Sequence, residues 1–227
     1  MWWRRSRPTG PPPARPDRLA PVPEGAAIDR AIQSAVDVPL RPAVFLDRDG
    51  TIIDDVGYLD RVDDVAIYPW SADALRLLGR AGFAIVVITN QSGVARGLYS
   101  ESAVHDVHAH LTEALGHGGA VVDGWYHCPH HHDAADPAYR LDCDCRKPKP
   151  GMLTRAATDL GLDLARSVVV GDRWSDVAAA RAVGAAGVLV RTGVGAREAE
   201  TPVEGLVADA IVPSLAEAAG WILRERR

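Results

Sequence analysis

Three short apolar runs, Ala43–Leu46, Ala84–Ile88 and Ser167–Gly171, each empty directly into a polar loop, and a helical pattern follows each in turn. Apolar residues that do not alternate with polar ones fit a strand buried on both faces, as in a parallel sheet covered by helices. Strands and helices alternating in this way predict an α/β fold: a three-layer sandwich around a central parallel, Rossmann-like sheet. In open sheets of this kind, ligand chemistry collects at the carboxyl ends of the strands. The polar loops after the runs are therefore the candidate site.

The remaining pattern fits the same plan. Helices are expected over Ser71–Ala81, closed by Gly82, and over Ser100–Leu115, Gly151–Leu160, Val177–Val183 and Ser214–Leu223. Further strands are expected over Asp123–His127, Val188–Val190 and Ala210–Val212. His105, His108 and His110 lie on the second helix with no metal-ligand partner at helical spacing, so they read as solvated or packing residues. Residues 1–40 are rich in Pro and Arg and read as a disordered extension, or alternatively as an arm that grips a partner. Residues 41–227 are left to form the domain.

Composition narrows the function. A net charge of -5 and a pI near 5.9 argue against a general nucleic-acid binder. No apolar run reaches the length of a membrane span. Arg4-Arg5 is followed by Pro11, Pro12 and Pro13, whereas an export signal would continue with an apolar segment. The cysteines number three, and Cys143 and Cys145 stand too close for a routine disulfide, which points to thiolates in a reducing, cytoplasmic compartment. A monomer acting on a small molecule is expected.

The strand-end loops carry Asp47 and Asp49, then Thr89, then Lys147, then Asp172 with Asp176. Residues i and i+2 of an extended segment point the same way, so Asp47 and Asp49 can face one centre while Arg48 points elsewhere. Clustered carboxylates repel and take up protons unless a hard cation such as Mg²⁺ neutralises them. The segment Cys128–Met152 gathers every cysteine, His130, His131 and His132, and the only lysines, Lys147 and Lys149. Everywhere else arginine supplies the positive charge, so a compact ammonium is needed here, and either lysine could hold a phosphate. Cys128-x-His130 with Cys143-x-Cys145 offers three thiolates and an imidazole, a closed tetrahedral set suited to structural Zn²⁺; His131 or His132 could replace His130.

Asp47-x-Asp49-Gly50-Thr51, the Thr89 strand end, Lys147-Pro148 and Gly171-Asp172-x-x-x-Asp176 together resemble the motifs of the haloacid dehalogenase (HAD) superfamily of phosphatases. The resemblance implies a HAD-type fold with a minimal cap and hydrolysis through an aspartyl-phosphate. It makes Asp47 the nucleophile and Asp49 the acid and then the base, with Thr89 and Lys147 on the phosphoryl oxygens. Mg²⁺ would bind Asp47, the carbonyl of Asp49, and Asp172. The Lys-Pro-x-Pro register of the family favours Lys147.

The zinc loop over 128–145, with Gly57-Tyr58, the segment from Asn90 to Gly97 and the segment from Cys145 to Met152, resembles more narrowly the branch of heptose 1,7-bisphosphate 7-phosphatases, which serve nucleotide-activated heptose synthesis. That resemblance implies substrate contacts from Asp55, Val56, Gly57, Tyr58, Asn90, Gln91, Ser92, Arg146 and Arg173. Arg173 is a departure: a member of that branch has lysine at this position, and the charge is kept. The rival within the same branch is a histidinol-phosphate phosphatase; the rival outside enzymes is a catalytically silent, zinc-stabilised binding module.

Overall fold

The computed structural model describes residues 39–226. The first apolar run becomes strand β1 (Arg41–Leu46), whose last four residues are fully buried. The other strands are β2 (Ala84–Asn90), β3 (Gly124–Cys128), β4 (Leu162–Gly171), β5 (Ala186–Val190) and β6 (Ala210–Val212). They form one sheet in the order β3-β2-β1-β4-β5-β6, and every neighbouring pair is parallel. The chain winds outward from β1 in one direction and then from β4 in the other. A crevice opens at the strand ends where the two halves diverge, and this is where such sheets bind ligands.

Side chains alternate across β1. Val44 and Leu46 pack with Leu75 and Leu78 on one face, and Ala43 and Phe45 pack with Leu153 and Ala156 on the other. Both faces are therefore dry, which explains the uninterrupted apolar runs. Each Val, Leu or Ile buried this way stabilises the fold by about 1.5–3 kcal/mol. The first face is covered by helices α1 (Ser71–Arg80), α3 (Glu101–His117) and α7 (Leu215–Glu225), and the second by α4 (Gly151–Leu160) and α5 (Trp174–Ala182). Single-turn helix α2 (Ser92–Ala95) follows β2, and α6 (Gly195–Glu200) follows β5. Ser100 and Ser214 cap α3 and α7 by accepting from the backbone N–H groups of Ala103 and Ala216.

The expected sandwich and its parallel sheet are present, with several boundaries displaced. β4 starts at Leu162 because its first residues pair with Arg41 and Pro42, beyond an irregularity in the β1 register. Thr89 and Asn90 belong to β2, since both pair with β3. α5 begins three residues before the expected Val177. Its polar first turn hides it from an apolar pattern, but Asp176 accepts the Arg173 backbone N–H at 3.1 Å and closes that turn. The α2 and α6 helices are too short to show a period. Between β1 and α1 stand only a 3₁₀ turn (Val62–Asp64) and isolated bridges at Asp49, Ile53 and Ile67, so the cap is minimal. Apart from Pro39 and Leu40, the expected extension over 1–40 lies outside the described residues. No helix among the described residues is long and apolar enough to cross a membrane.

Candidate active site

Asp47 follows β1 directly, and its backbone N–H donates to Val170 of β4 at 2.9 Å, which fixes it over the crevice. Its Oδ1 accepts from Lys147 Nζ at 2.7 Å. The same ammonium donates to the carbonyl of Ile88 at 2.9 Å and stands 2.6 Å from Asp176 Oδ1. An ammonium has three hydrogens, and three oxygens surround this one. Burial works against the charge, but Asp176 and Asp47 hold the Lys147 pKa well above its usual value. Lys149, in contrast, is exposed and pairs with Asp142. The buried lysine is thus Lys147, presented by a loop that Asn90 anchors: Asn90 Nδ2 donates to the Lys147 carbonyl and Asn90 Oδ1 accepts its N–H, both at 3.1 Å.

Asp172 is fully buried at the end of β4. Its Oδ2 accepts from Val194 N–H at 2.9 Å, while Oδ1 has no hydrogen-bond partner among the described residues. Burial, and then the charge of Asp47, push its pKa up to about 8. Oxygens of Asp47, Asp172 and Asp176 lie within 4.8 Å of one another. An orphaned carboxylate oxygen in such company fits a hard divalent cation. The backbone is shaped around Asp172: Gly50 holds φ at 79°, and a Cβ there would come within 2.3 Å of Asp172 Oδ2. Only glycine leaves that space.

Arg48 stays out of the cavity that Asp47 and Asp49 line, as expected, but it is buried and its Nε and Nη2 donate to Asp49 Oδ1 at 3.2 and 3.0 Å. Strand alternation separates the two side chains at their Cβ atoms, but a guanidinium is long enough to fold back. On the other oxygen, Gln91 Nε2 donates to Asp49 Oδ2 at 2.9 Å, and Thr89 Oγ1 stands 3.4 Å away. Asp47 and Asp49 both line one cavity of about 570 Å³. Its wall also includes Thr89, Asn90, Gln91, Ser92, Lys147, Asp55, Gly57, Tyr58, Arg146 and Arg173, while Val56 is half exposed and outside it. Arg173 Nη2 donates to Asp55 Oδ2 at 3.3 Å across the mouth.

The cysteine cluster assembles beside this cavity. Cys128 Sγ lies 3.6 Å from Cys143 Sγ and 3.1 Å from Cys145 Sγ, and His130 Nδ1 lies 3.3 Å from Cys145 Sγ. One ligand atom from each of the four fits within a 4.8 Å sphere of separations, a spacing that suits a tetrahedral metal centre. His130, and neither His131 nor His132, joins the thiols; those two group with Asp133. Arg146 Nη1 donates to the His130 carbonyl at 3.3 Å, so the cluster steers that cation toward the cavity.

Residues 144–218 match the HAD-hydrolase-like family. The chain is 41% identical over 187 residues, 82% of its length and 96% of the relative's, to D-glycero-beta-D-manno-heptose-1,7-bisphosphate 7-phosphatase of Escherichia coli K12. The chain belongs to the heptose-bisphosphate phosphatase family of HAD phosphatases. A relative from Thermosynechococcus vestitus, named D-glycero-D-manno-heptose-1,7-bisphosphate 7-phosphatase, is 44% identical over 80% of this chain and 95% of its own. The solved D,D-heptose 1,7-bisphosphate phosphatase of B. bronchiseptica, complexed with magnesium and phosphate, superposes with a TM-score of 0.72 at 35% identity, covering 81% of this chain and 99% of its own. The sequence pattern places Asp176 in a motif without giving it a role, and nothing in it marks Tyr99, whose hydroxyl donates to Gln91 Oε1 at 2.8 Å. No local pattern marks either contact: Asp176 meets a lysine from another loop, and Tyr99 meets Gln91 only because the connection between β2 and α3 turns back on itself.

Proposed function

We propose that the protein hydrolyses the 7-phosphate of D-glycero-D-manno-heptose 1,7-bisphosphate through an aspartyl-phosphate. The observation that carries this reading is the buried Asp47–Lys147 pair beside Asp172, whose Oδ1 has no hydrogen-bond partner among the described residues, at the crevice between β1 and β4. Asp47 attacks phosphorus as the bond to the sugar oxygen breaks, and Asp49 gives that oxygen a proton. Water then attacks phosphorus, the bond to Asp47 breaks, and Asp49 takes the proton from the water. Thr89 and Lys147 hold the phosphoryl oxygens. Mg²⁺, held by Asp47, the Asp49 carbonyl and Asp172, supplies charge neutralisation for the phosphoryl group. Asp176 holds Lys147 in register.

Arg146 and Arg173 line the same cavity and supply positive charge for the substrate's second phosphate. Asp55, the carboxylate that could have received a cationic substrate such as histidinol phosphate, is tied to Arg173. Zn²⁺ in the Cys128, His130, Cys143, Cys145 set completes a closed, structural site with no place for substrate. Free thiols fit a reducing cytoplasm, and the acidic balance fits a monomeric enzyme of small molecules without a nucleic-acid partner.

Phosphorus NMR of the purified protein with Mg²⁺ and heptose 1,7-bisphosphate tests the reading. Inorganic phosphate and heptose 1-phosphate are expected. Release of the 1-phosphate, or no release at all, would refute it.

A further inference from the structure

Gln91 has no donor to spare for a substrate. It is buried, and Nε2 donates to Asp49 Oδ2 at 2.9 Å and to Thr89 Oγ1 at 2.8 Å, while Oε1 accepts from the Tyr99 hydroxyl at 2.8 Å. A primary amide nitrogen carries two hydrogens, and both are engaged. The amide nitrogen faces Asp49 Oδ2 and Thr89 Oγ1, and the amide oxygen faces the Tyr99 hydroxyl, so all three neighbours are served in one orientation. Tyr99 is set just as firmly: its ring lies against Gly93, where a Cβ would come within 2.2 Å of a ring carbon. With Arg48 on the opposite oxygen, the Asp49 carboxylate is gripped from both sides.

We propose that Tyr99 and Gln91 are positioning residues that aim Asp49 at the leaving oxygen, with Gln91 serving Asp49 rather than binding the sugar. This rests on the reading of Asp49 as the acid and base. A carboxylate on a cavity wall has two free torsions, and proton transfer requires it within hydrogen-bond reach of the leaving oxygen. Tyr99 holds Gln91, and Gln91 then holds the outer oxygen of Asp49. Burial first, with Asp49's own charge adding to it, pushes the Tyr99 phenol up to about 12, so it stays a donor throughout the working pH range.

The test separates acid catalysis from everything else. A sugar alkoxide needs a proton to depart, whereas p-nitrophenolate does not. Tyr99→Phe keeps the ring over Gly93 and removes only the hydroxyl. We expect its kcat/KM for heptose 1,7-bisphosphate to fall about 10-fold through kcat, while kcat/KM for p-nitrophenyl phosphate stays within about 2-fold of wild type. Gln91→Met, similar in shape and without donors, should show the same selectivity with a larger loss. Unchanged kinetics in both variants, or an equal loss on both substrates, would overturn the proposal. Such a result leaves the phosphatase reading intact, because that reading is tested separately by the wild-type protein's release of phosphate from heptose 1,7-bisphosphate.

Discussion

Lys147 and Asp47 meet 100 positions apart in sequence as a buried ion pair, Nζ to Oδ1 at 2.7 Å. Asp176 lies on the far side of the ammonium at 2.6 Å, so one cation is shared by two carboxylates. Removing it leaves two buried carboxylates without that counter-charge. Lys147→Met should destabilise the fold by about 3–5 kcal/mol in urea titration and abolish turnover. Lys149→Ala, changed at the exposed lysine, should leave stability and turnover as they are. The opposite ranking of the two variants would show that the wrong lysine has been placed at the phosphate.

The cysteine cluster is expected to link stability to catalysis by holding a metal. Elemental analysis should find a single zinc per chain, and Cys143→Ser should lose it together with several degrees of thermal stability. Its activity should drop as well, because Arg146 is tied to the His130 carbonyl and Lys147 follows in the chain. Added magnesium should not rescue it. A metal-free, stable and fully active Cys143→Ser protein would disprove the link.

A pH effect follows from His108. It is buried, stacked on Trp125 at 4.6 Å, and lowered to about 3 by burial first and then by the charges of Arg48, His127 and His105. In the unfolded chain it takes up a proton near its ordinary value of 6.5. Between 6.5 and about 3 the unfolded state therefore binds more protons, and stability falls as pH falls through that window. His108→Gln should flatten this acid limb in a series of urea melts. An unchanged slope would mean that His108 is already charged in the folded protein.

Substrate choice should depend on Arg146. Heptose 1,7-bisphosphate should exceed histidinol phosphate by roughly 100-fold in kcat/KM, a difference of about 2.7 kcal/mol in transition-state binding. Arg146→Ala should erode that preference more than it slows p-nitrophenyl phosphate, which has no second phosphate to lose. Equal losses on all substrates would remove Arg146 from specificity.

The strands and their loops were legible in the sequence because a parallel sheet buried on both faces leaves its mark as unbroken runs such as Ala84–Ile88. The members of the cysteine cluster were legible too, because Cys128-x-His130 mirrors Cys143-x-Cys145 and so favours His130 over His131 and His132. The hold of Arg48 on Asp49 was not legible, because alternation along a strand fixes where a side chain starts and says nothing of where a long one ends. Asp176 and Tyr99 escaped assignment for a related reason: each acts through another side chain, Lys147 from a separate loop in one case and Gln91 across the turn of its own connection in the other. His108 looked like any helix histidine until Trp125 was packed against it.

Asp47→Asn tests the central claim most directly, since an amide has the shape of the carboxylate but cannot form the acyl phosphate. Turnover of heptose 1,7-bisphosphate by this variant should fall below about 1% of wild type, with its fold and zinc content unchanged. A folded, zinc-loaded Asp47→Asn protein that retains more activity than this would show that the phosphoryl group never passes through Asp47.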